Sequence, residues 1–166
     1  MALREILTYP NPILKQVSQA VSQIDESLSN DLKDLEETLD ASPGCVGIAA
    51  PQIGVMFRVV IIDASRNRKP VANHGRLWLI NPKITKTEGA VTGREGCLSL
   101  PHLTANVSRA EKIVVEFTNK EGQQQTIETS DFEARVIQHE MDHLDGLLFL
   151  DRVSSLKTDV FRRKRY

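Results

Sequence analysis

The stretch Gln138-His139-Glu140-Met141-Asp142-His143-Leu144-Asp145-Gly146 decides how the rest of the chain must fold. Each residue of an α-helix turns by about 100°, which puts His143 about 40° and Glu140 about 100° from His139, all on one side. Side chains four apart have Cβ atoms roughly 5–6 Å from each other, so both imidazoles can reach one metal ion. The carboxylate beside them can then take a proton from water at that ion. The same residues on a solvated helix would carry no chemistry, and the motif alone does not separate the two readings.

Working outward, Ser130 and Glu133 have the spacing of a capping box that starts this helix near Asp131, and Asp145-Gly146 ends it. Ala134, Ile137, Met141 and Leu144 cluster opposite the histidines as a core face, while Phe132 and Val136 share the histidine side. A helix apolar nearly all round is buried and runs through the middle of its domain. Two histidines and a glutamate placed there need partners, and a metal satisfies both imidazoles at once.

At 166 residues the chain fits one domain, residues 1–166, able to bury about two thirds of its unfolded surface. A composition 40% hydrophobic and 26% charged is that of a soluble globular protein. The formal net charge of −1 gives no electrostatic reason to expect nucleic acid or an anionic membrane as partner. No apolar run approaches a membrane span, and Met1-Ala2-Leu3-Arg4-Glu5-Ile6 lacks the design of a secretion signal. Cys45 and Cys97 make no disulfide framework, so a reducing, cytoplasmic compartment is expected.

Before the histidine helix, Pro10 and Pro12 predict a turn-rich entry with a short helical turn over 13–17. Leu28, Leu32, Leu35 and Leu39 form an apolar stripe that predicts a helix over 25–39, ended by Ser42-Pro43-Gly44. The small, nearly uncharged run from Cys45 to Gly54 reads as an irregular loop whose backbone can approach a ligand. Strands are predicted over 57–63, 77–80, 83–87, 106–117 and 124–128, with a hairpin turn at Lys120-Glu121-Gly122. His74 falls in a polar connection and reads as solvent-exposed. Residues 147–150 read as a buried strand and the basic tail 157–166 as a short solvated helix. The fold class is α+β, with antiparallel or mixed sheets packed around a central buried helix and a short tail from about residue 152.

A catalytic site of the zinc type uses three protein ligands and keeps one position open. His139 and His143 supply two. His74, His102 and Cys97 are each possible thirds; Gly96 favours Cys97 by allowing close approach, yet a free cysteine is as often a small buried hydrophobe.

Three stretches together resemble the peptide deformylase family: Val46-Gly47-Ile48-Ala49-Ala50-Pro51-Gln52, Glu95-Gly96-Cys97-Leu98-Ser99 and Gln138-His139-Glu140-Met141-Asp142-His143. Their order and spacing also match, as does the opening Ile6-Leu7-Thr8-Tyr9-Pro10, so the resemblance runs to about Ser155. It implies a hydrolase that removes the formyl group from the N-terminal formyl-methionine of nascent polypeptides. It further implies Cys97, His139 and His143 as ligands of one divalent metal ion per chain, ferrous iron in the cell, with zinc, nickel or cobalt able to substitute. Glu140 becomes the general base and acid, and Gln52 with the backbone N–H of Leu98 holds the oxyanion. Substrate contacts fall to Val46, Gly47, Glu95, Val136 and Arg135, with Arg109 as an ion-pair support for Glu95. The expected partners are nascent chains of bacterial or organelle-type translation, which implies transient proximity to the ribosome, with 162–165 as a candidate docking stretch; the chain is expected to be a monomer.

Four positions depart from the family pattern. Cys45 stands where a glycine is usual, Ile48 where leucine is usual, and the tail after Asp151 is short. Arg135, one turn before His139, replaces an apolar residue and is expected to act at the rim of the substrate pocket. A zinc metalloprotease would also carry His-Glu-x-x-His, but would want a histidine or glutamate ligand downstream, and none follows His143. A fold used only for binding would lack a ligand or the base, and neither is missing.

Overall fold

A computed structural model describes residues 3–163. A five-stranded antiparallel sheet, in the order β1-β2-β3-β6-β7, lies between two helices. Its strands are β1 (Gly47–Ala49), β2 (Val59–Asp63), β3 (Arg76–Glu88), β6 (Lys112–Thr118) and β7 (Gln124–Ser130). A three-stranded antiparallel sheet contains β4 (Val91–Cys97), β5 (Leu100–Arg109) and β8 (Val160–Arg162), with β5 in the middle. The α+β class expected from the sequence is the one found.

Successive side chains of a strand point to opposite faces, and β2 is buried on both. Val59 and Ile61 pack with Leu28, Leu32, Leu35 and Leu39 of α1 (Glu26–Asp40), and Val60 and Ile62 pack with Ala134, Ile137 and Leu144 of α2 (Asp131–Leu144). The α1 stripe is therefore core, worth about 1.5–3 kcal/mol for each fully buried leucine. Asp25 caps α1, its side chain accepting from the N–H of Leu28 at 2.8 Å. The second sheet closes the other side of α2, where Cys97, Leu100 and Val107 pack with Leu14, Leu148 and Phe149.

Several local expectations are corrected. Residues 77–87 form one strand bulged at Asn81, whose φ of 50° and carboxamide bonds to the backbone of Val21 keep β3 continuous across Pro82. The apolar run 106–117 is two strands reversing at Ala110-Glu111, a turn with no glycine to announce it. β4 was not expected; its centre is two charged residues between two glycines, and it pairs along β5. Residues 147–150 are not a strand: Phe149–Asp151 make a 3-10 turn.

The tail is not a helix either, because Val160–Arg162 pairs with Leu103–Ala105; residues 164–166 of the basic stretch lie outside the described residues. The Ser130–Glu133 capping box does not form. Asp131, at φ 56°, turns the chain sharply from β7 into α2, and Glu133 goes inward to accept from the backbone of His74 and the hydroxyl of Thr129. His74 is exposed, as expected, and its ring also pairs with that buried carboxylate. Among the described residues no helix is long and apolar enough to cross a membrane.

Candidate active site

α2 is buried on its histidine side because two layers meet there. Gly47 of β1 lies directly against it: a Cβ at that position would be 3.0 Å from Glu140 Cγ, Glu140 Oε2 and Val136 Cγ1. From the opposite side β4 ends at Cys97. The donor atoms of Cys97, His139 and His143 lie within 4.8 Å of one another, all three residues buried. His102, the other candidate from the second sheet, is exposed on β5, and His74 is held by Glu133, so neither joins them.

The ring of His139 is oriented by Glu95, whose Oε1 lies 2.8 Å from His139 Nδ1. The other nitrogen is thereby turned toward Cys97 and His143. Glu95 accepts from Arg109 through both carboxylate oxygens, at 2.9 Å each. Arg109 also donates to Asp142 at 2.5 Å, and Arg152 donates to the same carboxylate at 2.8 and 3.0 Å. Burial alone would raise the Glu95 carboxyl, but hydrogen bonds from Arg109 and His139 hold it well below the usual carboxylate range. Arg109 thus supports Glu95 as expected, while Asp142 and Arg152 are additions. The signal available for Asp142 was a carboxylate on a helix buried all round, which needs a cation beside it.

Arg135 lines the cavity beside Val136, and its guanidinium is held by the strands next to it. Its guanidinium donates to Glu95 at 2.6 Å and to the carbonyls of Val107 and Val91 at 2.9 and 2.6 Å. Gly93 makes room, since a Cβ there would sit 3.1 Å from Arg135 Cζ. The charge is turned inward and committed to β4 and β5.

Gln52 points into the site from the turn after β1. Its Oε1 accepts from the N–H of Ala49 at 3.0 Å, so its Nε2 faces outward, 3.0 Å from Ser99 Oγ and 3.6 Å from Cys97 Sγ. Ser99 is fully buried and was not anticipated. Val46, Gly47, Gln52, Cys97, Leu98, His139 and Glu140 all line one cavity of about 110 Å³. An adjoining cavity of about 200 Å³ is walled by Val46, Phe132, Val136 and Arg135. Cys45 lines the first cavity; its thiol donates to the carbonyl of Gly47, and burial together with nearby Glu140 pushes it up to about 12.

The donor set fits a divalent metal. Burial would raise the Cys97 thiol, yet His143 and His139 beside it lower it well below its ordinary value, toward the thiolate that ligates. His143 turns Nε2 to Cys97 Sγ at 3.4 Å, and beside them Glu140 Oε1 is buried with no hydrogen-bond partner among the described residues, which is costly unless something else fills the site. Burial also raises the Glu140 carboxyl. A thiolate, two imidazoles and an adjacent carboxylate can together hold an ion and move a proton beside it.

The sequence model for polypeptide deformylase matches residues 3–159. A peptide deformylase of Thermodesulfovibrio yellowstonii is 40% identical over 164 residues, which is 99% of this chain and 97% of that one. The crystal structure of a peptide deformylase from Legionella pneumophila superposes with a TM-score of 0.84 at 38% identity, covering 94% of this chain and 89% of that one. A class I type b peptide deformylase from Acinetobacter baumannii, bound to Met-Ala-Ser, superposes with a TM-score of 0.85 at 30% identity, covering 92% and 100%.

Proposed function

This chain belongs to the polypeptide deformylase family, whose enzymes remove the N-formyl group from newly made polypeptides, and we propose how its site performs that hydrolysis. The observation that carries the assignment is the convergence of Cys97, His139 and His143 with the Glu140 carboxylate and the Gln52 amide at one cavity. Cys97, His139 and His143 hold one divalent ion. When bound, the ion supplies Lewis acidity, which polarises a carbonyl and makes water acidic enough to act at neutral pH. Ferrous iron is our assignment in the cell; thiolate and imidazole donors accept it, and also zinc, nickel or cobalt.

Glu140 takes a proton from the attacking water and returns it to the amine nitrogen as the formyl carbon–nitrogen bond breaks, releasing formate. A carboxyl raised by burial suits a group that must both accept and donate. Gln52 Nε2 and the backbone N–H of Leu98 donate to the formyl oxygen as it gains charge; one such donor is typically worth about 10²–10³ in rate. The methionine side chain enters the cavity between Val46 and Val136, and the substrate backbone runs alongside Gly47 at the open edge of β1. Glu95, tied to Arg109 and Arg135, keeps His139 in the orientation its role requires.

A metalloprotease reading has no observation in its favour, since the third donor is Cys97 from β4 and not a residue after His143. Nascent formylated chains as substrate support a reading in which the protein works near ribosomes, in a compartment of bacterial or organelle-type translation; we further propose that it is a monomer. Incubating the metal-loaded protein with a formyl-methionyl peptide tests the proposal. Formate and free amine in equal amounts are expected; cleavage of an internal peptide bond, or no formate, would overturn it.

A further inference from the structure

The open edge of β1 is not bare. Its register with β2 sets Gly47 opposite Ile62, and the N–H of Asp63 donates to the carbonyl of Val46 at 2.8 Å. In an antiparallel ladder, opposed residues alternate between those that exchange hydrogen bonds and those that do not. Val46 and Ile48 therefore turn backbone groups toward β2. Gly47 and Ala49 turn theirs to the open edge, the side along which the substrate backbone runs.

Two side chains meet those outward groups. Gln52 Oε1 accepts from the N–H of Ala49 at 3.0 Å, and the Cys45 thiol donates to the carbonyl of Gly47 at 3.0 Å. An unpaired strand edge is a template for any extended chain, and covering its polar groups blunts it. Cys45 lies outside the donor set of Cys97, His139 and His143, yet it lines the same cavity as Gly47 and Glu140. Its backbone is held from behind. The N–H of Cys45 donates to the carbonyl of Ser42 at 3.2 Å, and Arg66 Nε donates to the carbonyl of Cys45 at 2.9 Å. Burial pushes the thiol up to about 12, so its proton is in place for donation.

The contact is weak enough to exchange. A thiol is a poor donor and an amide N–H a good one. An extended polypeptide along β1 thus offers the Gly47 carbonyl a better partner, and in strand addition such main-chain bonds carry the affinity. We propose that the Cys45 thiol is a displaceable cap on this edge, holding the Gly47 carbonyl in the free protein and yielding it to a backbone N–H of the formylated polypeptide. Cys45 acts through Gly47 as a positioning residue and sets how much affinity the main-chain pairing contributes. The inference rests on the function proposed above. Displacing the thiol costs the same in the bound substrate and in the transition state, so it weighs on KM and not on kcat.

Steady-state kinetics on formyl-Met-Ala-Ser test this in the wild type, Cys45→Ala and Cys45→Ser. Cys45→Ala uncaps the carbonyl, and KM should fall about two- to fivefold at constant kcat, as for one hydrogen bond of modest strength. Serine restores a donor and should return KM to the wild-type value or above it. An unchanged or raised KM in Cys45→Ala would overturn the inference. So would an equal fall in Cys45→Ser, which would mark an effect of side-chain volume. A spectroscopic signature should accompany the kinetics. The chain has two cysteines, and with Cys97 a ligand thiolate the S–H stretch belongs to Cys45. That infrared band should shift when formyl-Met-Ala-Ser saturates the slow Glu140→Gln protein, and an unmoved band would also overturn the inference. No formate from this peptide with wild-type protein would instead overturn the proposed function.

Discussion

Glu95 Oε1 lies 2.8 Å from His139 Nδ1, and the same carboxylate holds Arg109 and Arg135. One buried acid thus fixes a ligand ring and anchors two cations. Glu95→Gln keeps the shape but gives the histidine a weaker acceptor. Metal affinity should fall about 10- to 100-fold, as for other partners of metal-bound histidines. Chelator competition reads this directly; an unchanged affinity would separate Glu95 from the metal site.

Glu140→Gln removes the proton carrier without touching a ligand. The variant should retain one metal ion per chain and lose about 10²–10⁴ in kcat. Near-normal turnover would transfer the proton to another group.

Gly47→Ala inserts a methyl 3.0 Å from Glu140 and Val136, atoms of a packed helix with little room to yield. A general base displaced by a fraction of an ångström is expensive, so kcat/KM should drop about 10²-fold. Metal content should stay intact, because no ligand adjoins Gly47 so closely.

The two cysteines should behave oppositely. Cys97→Ala should strip the protein of metal during purification, whereas Cys45→Ala should leave metal content unchanged, since the Cys45 thiol stays protonated up to about 12. Elemental analysis of both variants distinguishes them.

Acid should loosen the contact between the five-stranded sheet and α1. Burial would raise Asp63, but the Ser65 hydroxyl and Arg76 guanidinium lower it, and Arg76 also reaches Glu36 and Asp40 of α1. A lowered carboxylate stabilises the fold above its unfolded pKa of about 4 and loses that contribution as pH falls through the lower folded value. In metal-free protein, so that loss of the ion in acid does not contribute, stability should therefore decline from about pH 4 downward. Asp63→Asn should be less stable at neutral pH and decline less steeply, as read by denaturant midpoints at several pH values.

Much of this was legible in the sequence because the signals were local. The leucine stripe of α1 and the His139–His143 spacing each need one helix and one period. β4 was not legible: Gly93-Arg94-Glu95-Gly96 has no strand composition, and its strand exists because β5 offers a partner and α2 offers Glu95 the side chains of Arg135 and His139. The tail failed for the same reason, since Val160–Arg162 is a strand only through Leu103–Ala105. In the site, Cys97, His139 and His143 come together as a possible donor set, and Glu140 lines the same cavity. The ion pair of Arg135 with Glu95 was not legible, because the absence of a side chain at Gly93, far away in sequence, makes the room its guanidinium takes. Ser99 gave no signal beyond its place next to the Glu95–Leu98 motif.

The first residues of the fold have their own consequence. The N–H of Leu7 donates to the carbonyl of Gln52 at 2.7 Å, and that of Tyr9 donates to the carbonyl of Ser99 at 2.8 Å. Two residues apart along the chain, they grip the backbone of the two residues whose side chains meet at 3.0 Å inside the site. The segment therefore works as a gauge block: its fixed length sets the gap between the jaw that carries Gln52 and the jaw that carries Cys97. Catalytic spacing here is dimensioned from the outside of the molecule, by a stretch with no reactive group of its own.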